Sequence, residues 1–217
     1  MAQDTVFVLG AGIVGVSAAL WLRRAGARVV LIDRDAPGQG ASRGNAGVLA
    51  ACAMVPVTQP GLMREAPGMV PRRDSPLFLR WPHLPRLAPW LVRYLSHAGD
   101  AETRRIAAAL APIVTDSVEQ HAALASGTAA ERWLEPCDYG FSYRDRAAFE
   151  ADGYGLARRA AHGFEPVLHE GAAVRDVEPA LGPGTGLLAR VPGHGFVRDP
   201  GPMSPISPPP SKPRAER

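Results

Sequence analysis

The sequence predicts an α/β protein: a partial, parallel βαβ unit at the N-terminus, then an α+β lobe and a disordered C-terminal tail. Three observations predict it. A β-branched run at 6–9 passes through Gly10, Gly12 and Gly15 into an apolar helix, and a second β-branched run ends in Asp33. From residue 131 short strand-like runs alternate with helical ones, and from residue 200 proline and serine dominate. These shifts divide the chain at 1–55, 56–199 and 200–217.

The first strand covers 5–9, the helix 13–25 and the second strand 28–33. Gly10 permits the tight turn off the strand, Gly12 lets backbone approach a ligand, and Gly15 lets the helix pack against the sheet. The helix N-terminus offers unpaired N–H groups and a partial positive charge, which suit a pyrophosphate. Asp33 stands where a carboxylate accepts hydrogen bonds from a ribose, and its charge disfavours a 2′-phosphate. Strand, glycine turn, helix, strand and acid in this order are the dinucleotide-binding fingerprint. The rival reading, a membrane span or signal segment over Thr5 to Leu22, is opposed by Asp4 and by glycines that fall where the helix has to begin. Gly26 is placed to end the helix.

Residues 34–50 form a loop of small residues, the kind that lets backbone lie against a ligand. Eight prolines punctuate 56–89, which reads as a long connection with short helical turns. Helices are expected at 86–97 and at 101–125, the second kinked by Pro112 and capped by Asp100. Short strands follow at 133–135 and 139–143. A helical stretch over 145–161 is interrupted at Gly153 and Gly155. Extended backbone is expected at 165–169, a turn and short strand within 170–179, and a hairpin from 186–191 and 195–198. The tail from 200 is too polar and Pro-rich to offset the entropy of ordering.

At 217 residues and net charge +3, the chain is an ordinary globular protein with dispersed arginines and no basic block for nucleic acid. Cys52 and Cys137 make no metal or disulfide spacing, which fits a reducing, cytoplasmic setting. The six histidines are scattered and read as surface or structural, with His194 in its Gly-flanked turn the best placed for a substrate role. Tyr139 and Tyr143 suit a cavity lining, a strand core or a surface position, and Arg43 a solvated loop or an anion contact. No Ser-His-Asp set and no metal cluster is evident, and no catalytic residue is assigned.

The glycine turn at 10–15, Asp33-Arg34 and the S-R-G-N-A-G run at 42–47 together resemble the FAD-dependent D-amino acid dehydrogenase group, within the glycine oxidase/D-amino acid oxidase family. The helix around Trp90-Leu91, E-P-A-L at 178–181 and R-D-P at 198–200 extend the resemblance over roughly 5–200. It implies FAD as cofactor, held by Gly10, Ala11, Gly12, Ile13, Val14, Gly15, Asp33, Arg34, Ser42, Asn45, Ala46 and Gly47. It implies oxidation of an amine carbon: a hydride passes from Cα of an amino acid to the flavin, and an imine forms. It also implies a respiratory quinone acceptor and peripheral contact with the inner membrane. NAD shares the glycine turn and the acid, so an NAD-binding dehydrogenase domain is the alternative, beside a non-catalytic subunit of a split flavoprotein. Family members run to about twice this length. Only two parallel strands are found here, and two alone are marginal. The chain therefore reads as a truncated or frameshifted product, or as one part of a split protein whose second subunit supplies the rest, with impaired flavin binding and exposed apolar surface.

Overall fold

The structure, a computed structural model, describes residues 5–62 and 80–200. The chain divides into two compact units. The first comprises Met1–Ala50, Asp116–Asp138 and Gly193–Arg217; the second comprises Ala51–Thr115 and Tyr139–Pro192. A cut at residue 55 therefore leaves out two distant segments that belong to the first unit.

In the first unit, β1 (Thr5–Leu9) and β2 (Arg28–Ile32) pair in parallel, with Phe7 opposite Val30 and Leu9 opposite Ile32. Helix α1 (Ile13–Arg24) joins them. It ends in a Schellman motif, with Gly26 N donating to Arg23 C=O at 3.0 Å and Ala27 N to Leu22 C=O at 2.9 Å. Alternation sorts the strand residues: Val6, Val8, Val29 and Leu31 are half-buried, and Phe7, Leu9, Val30 and Ile32 are exposed. The core is closed from afar. Ala11 and Val16 pack with Leu124 and Ala125 of α4 (Ser117–Ala125), with Ala130 and with Val197. The Arg24 guanidinium donates to the C=O groups of Ala123 (3.0 Å) and Leu124 (3.4 Å), which satisfies carbonyls left open at the end of α4. The short β3 (Val48–Leu49) pairs antiparallel with Phe196 and Gly195 of β6 (Leu187–Val197). Trp133 C=O, just before β4 (Leu134–Tyr143), accepts from Arg198 N at 2.8 Å.

The second unit holds α2 (Leu84–Ser96), α3 (Asp100–Val114), α5 (Arg146–Ala151), α6 (Gly153–Ala160), β5 (Val167–Glu170) and α7 (Ala172–Val177). Met54, Ala107 and Ala111 form its core with Val55, Leu110, Val114 and Phe164. Strand β5 pairs antiparallel with the first residues of β6, where Leu187, Leu188, Ala189 and Val191 are buried. Thr103 is fully buried, its hydroxyl within hydrogen-bond reach of Thr58 C=O and Gly99 C=O. Such satisfaction is what allows a buried hydroxyl.

Several local expectations change. The helix expected over 101–125 is two helices that part at Thr115-Asp116, and Pro112 lies inside α3. Asp100 is the first helical residue rather than the cap. Gly99 holds the cap position, and the Asp100 carboxylate pairs with Arg104 and accepts from Tyr154. Residues 172–177 are helical, not a strand. The two strands expected at 133–143 are one, and the hairpin expected at 186–198 is the single strand β6. The disordered tail expected at 200–217 lies, after Pro200, outside the described residues.

Candidate dinucleotide site

The site is the opening of α1. Gly10 leaves β1 with φ +99°, a left-handed conformation that favours glycine, and its N–H donates to Ile32 C=O at 2.8 Å. Gly15 is needed for a different reason: a Cβ there would sit 1.8 Å from the Gly10 carbonyl oxygen. The close approach is between the first helical turn and the glycine turn, more than between helix and sheet. Gly12 has φ −73° and ψ 178°, which any residue adopts, and a Cβ on it would meet only Ser42 Oγ at 3.4 Å, an ordinary contact. The protein's own packing thus explains Gly10 and Gly15 but not Gly12. The room left there beside Ser42 Oγ, at a helix N-terminus, has the chemistry to seat an anion.

Two side chains finish this turn. The N-cap residue, Gly12, has no side chain to cap with, and Ser42 Oγ accepts from Ile13 N at 2.9 Å in its place. Asp33 Oδ2 accepts from Ala11 N at 2.6 Å and Oδ1 from Asp35 N at 3.0 Å. The Ala11 N–H first, then the Asp35 N–H, hold the Asp33 carboxyl below its ordinary value of 3.8. Asp33 is exposed, and each carboxylate oxygen keeps acceptor capacity for a further donor. Asn45 shapes the following loop from within: its Nδ2 donates to Ser42 C=O at 3.1 Å and its Oδ1 accepts from Gly47 N at 2.8 Å. Ala46 is exposed beside it, and Val14 is exposed on the first turn of α1. Arg34 lies out in solvent against Asp35, and Arg43 against Gln39.

The structure therefore gathers Gly10 to Gly15, Asp33 and Ser42 around one helix end. It also adds residues that local sequence reading missed. A pocket of about 50 Å³ is lined by Ile13, Ser42, Asn45 and Gly47 together with His121, Val197 and Pro200. His121 Nδ1 donates to Ser117 C=O at 2.7 Å, since a carbonyl can only accept. Nothing near 121 in sequence signals the pocket, because the loop it meets lies some eighty residues away. His194 is buried in the first unit. Tyr143 donates to Asp152 in the second, and burial first, then that bond, raise its pKa. Among the described residues no group of His, Cys, Asp or Glu has metal-binding geometry, and no helix is long and apolar enough to cross a membrane.

Two substitutions test these contacts. Ser42→Ala leaves the Ile13 N–H without its acceptor and should cost about 1 kcal/mol in a urea titration. Asp33→Asn replaces one of two acceptor oxygens with a donor, so either Ala11 N or Asp35 N loses its partner, and the urea midpoint should fall at pH 7. The Asp33 pKa is depressed on folding, so its stabilisation is present above about 3.8 and is lost as pH falls through the lower folded value. The gap between the wild-type and Asp33→Asn midpoints should accordingly close below about pH 3.8.

Residues 5–204 match the family model of DAO, FAD dependent oxidoreductase. The chain belongs to this family. Its relatives include the D-amino-acid oxidase of Bradyrhizobium diazoefficiens, 34% identical over 199 residues, which cover 90% of this chain and 47% of that protein. D-amino acid dehydrogenase 2 of Ralstonia nicotianae is 38% identical over 108 residues, 48% of this chain and 25% of that protein. Glycine oxidase from Geobacillus kaustophilus shares the fold at TM-score 0.53 and 16% identity, over 93% of this chain and 42% of that one. L-amino acid deaminase from Proteus myxofaciens does so at TM-score 0.57 and 10% identity, over 93% and 34%. The DAO-family chain spans about half the length of the Bradyrhizobium relative. FAD is the cofactor of the family, and the Gly12 cradle with its helix end fits the diphosphate of such a group.

Proposed function

We propose that this chain forms the dinucleotide-holding part of a flavoenzyme that oxidises D-amino acids at the CH–NH bond, of the dehydrogenase type. The observation that carries the reading is Gly12, a missing side chain that the protein's own packing does not require, at the one helix end framed by Asp33 and Ser42. The substrate class rests on relatives named D-amino-acid oxidase and D-amino acid dehydrogenase. When bound, FAD supplies the acceptor for the hydride that leaves Cα.

The residues of this chain hold and orient. Gly10, Ala11, Gly12, Ile13, Val14 and Gly15 present the helix end to the diphosphate. Asp33 takes ribose hydroxyls, with Arg34 at its side. Ser42, Asn45, Ala46 and Gly47 form the wall that follows the cofactor away from the helix. A quinone at the inner membrane face is the proposed electron acceptor. On its own the 217-residue chain should hold FAD weakly, because a two-stranded parallel sheet is marginal.

Titration of the purified chain with FAD and, separately, with NAD tests the cofactor. Flavin fluorescence quenched by the chain, with no response to NAD, supports the reading; a response to NAD alone removes it. Stoichiometric, tightly held yellow flavin in the purified chain would refute the proposed weak binding. Acceptor preference, a quinone analogue against oxygen with a panel of D-amino acids, separates dehydrogenase from oxidase.

A further inference from the structure

We infer that the face of α2 that carries Arg86, Trp90 and Arg93 is a docking surface for an anionic lipid bilayer. The inference stands on residues 80–97 of the second unit and needs neither flavin nor substrate, so it can fail while the amino acid reading holds, and the reverse.

A 3₁₀ turn, Trp81–His83, leads into α2. Leu84, Leu87, Leu91 and Leu95 are half-buried and hold one side of the helix to the protein. Arg86, Trp90 and Arg93 follow one another at helical spacing on the other side, and all three are exposed. Trp90 is 56% exposed, Val92 on the flank 69%, and Trp81 in the preceding turn 63%. The Trp90 ring stacks on Tyr94 one turn later, with 4.9 Å between centroids, so the indole is braced along the helix. From 80 to 99 the sequence holds three arginines, two histidines and no Asp or Glu. The next carboxylates, Asp100 and Glu102, open α3 and are engaged, Asp100 with Arg104 and Tyr154, Glu102 with Arg105 and His97. Among the described residues no carboxylate pairs with Arg86 or Arg93.

Arginines on an exposed helix face are ordinary. Large apolar side chains set among cations, with no carboxylate between them, are not. Folded polypeptide that buried Arg86 and Arg93 would have to bring a carboxylate to each, because an unpaired buried charge is costly. A second copy packed face to face would set these cations against their own images. A bilayer with anionic headgroups meets both halves of the surface. Its phosphates accept from guanidinium forks. Its interfacial layer takes indole and valine side chains, with the indole N–H kept wet. The contact lies along the membrane rather than through it, since α2 has 13 residues and no helix among the described residues is long and apolar enough to cross. An acidic protein would satisfy the arginines but leave the tryptophans without a reason.

The test is sedimentation of the 217-residue chain with vesicles of phosphatidylglycerol and phosphatidylcholine, and with vesicles of phosphatidylcholine alone. Binding is expected to the first and not to the second, and it should weaken as salt is raised. Arg86→Glu combined with Arg93→Glu should weaken it by about tenfold or more. Arg86→Lys combined with Arg93→Lys should retain it. Bromine on the acyl chains should quench tryptophan fluorescence, and less so in Trp90→Phe. Leu9→Glu, at an exposed apolar site of the first unit, should bind as wild type. Circular dichroism should be unchanged in every variant, because each altered side chain is exposed. The inference is overturned if both vesicle types bind alike, if the folded double glutamate variant binds as wild type, or if Leu9→Glu abolishes binding. It is also overturned if polyglutamate captures the chain and anionic vesicles do not, the result expected of an acidic protein partner.

Discussion

Gly15→Ala should strongly destabilise the first unit, and Gly12→Ala, three residues away, should leave it folded and unable to hold FAD. The two glycines belong to one motif but answer to different neighbours. A methyl at position 15 meets the Gly10 carbonyl oxygen at 1.8 Å and its carbon at 3.0 Å. Both are backbone atoms, so no side chain can swing away. Relief requires either the helix to lift off the turn or the Gly10 peptide to rotate. Rotation would disturb the Gly10 N bond to Ile32 C=O, which ties the end of β1 to β2. Overpacking of a flexible site costs about 1–3 kcal/mol, and a backbone clash belongs at or above the top of that range. Against a total stability of about 5–15 kcal/mol, that is a large share for a unit with one side of its sheet bare. At position 12 the backbone is already extended, and the added methyl has only an ordinary contact with Ser42 Oγ. Alanine is a poorer cap than glycine, so a loss under about 1 kcal/mol is expected. The methyl instead fills the space in front of the helix end. Urea midpoints and FAD titrations on both variants decide the matter. A Gly12→Ala protein that binds FAD as wild type would remove the cradle, and with it the main support for the proposed site.

The parts of the fold that are legible in the sequence are those set by short-range interactions. The turn, α1 and both strands of the βαβ unit follow from neighbouring residues: the glycine spacing, the β-branched runs and Gly26 all act within a few positions. The observed bounds depart from the expected ones by a residue at most. The motif points to Ser42, but its cap on Ile13 N spans 29 residues and no local pattern announces it. The same holds for the core. Leu124, Ala125 and Val197 are apolar residues in segments that read as belonging elsewhere, and they close the first unit over α1. Where sequence and structure differ, a local signal is overridden by longer-range pairing or by a neighbouring residue. P-G-H-G at 192–195 is turn chemistry, and Gly193 does take φ +82°, yet the strand runs through it. The residues before it pair with β5 and those after it with β3, so each half of β6 is held by its own partner. A-A-V-R-D-V at 172–177 carries two valines, which favour strands, but Ala172 and Ala173 open it as a helix. Pro112 lacks the N–H that would donate to Ala108 C=O, which costs the helix one bond, yet the helix runs on to Val114 and the chain parts after it.

Gly47→Ala is the second substitution expected to collapse the site, and it does so from the far end of the loop. Gly47 has φ +69°, and a Cβ on it would sit 2.1 Å from Val197 C=O and 3.1 Å from its carbon. The approach is that close because the two residues are bonded: Val197 N donates to Gly47 C=O at 2.7 Å, next to the Val48–Phe196 pair. Alanine adds two separate costs. The left-handed backbone alone costs about 1–2 kcal/mol for a residue with a Cβ. The clash then forces Gly47 and Val197 apart, which sacrifices their bond and pulls Val197 out of the core it shares with Ala11 and Val16. A total of at least about 3 kcal/mol is expected, in the range that marks a named structural failure. Gly44→Ala separates the terms. Gly44 has nearly the same φ, +73°, and open space where its Cβ would go, so it should show the backbone cost alone. If the loop is held through Gly47, Gly47→Ala should also open 34–50 to proteolysis and lower FAD affinity with it, because Asn45 Oδ1 loses the Gly47 N–H that folds the loop. Equal urea midpoints for the two alanine variants would show that Val197 yields without cost, and the junction between loop and β6 would then have no part in holding the site.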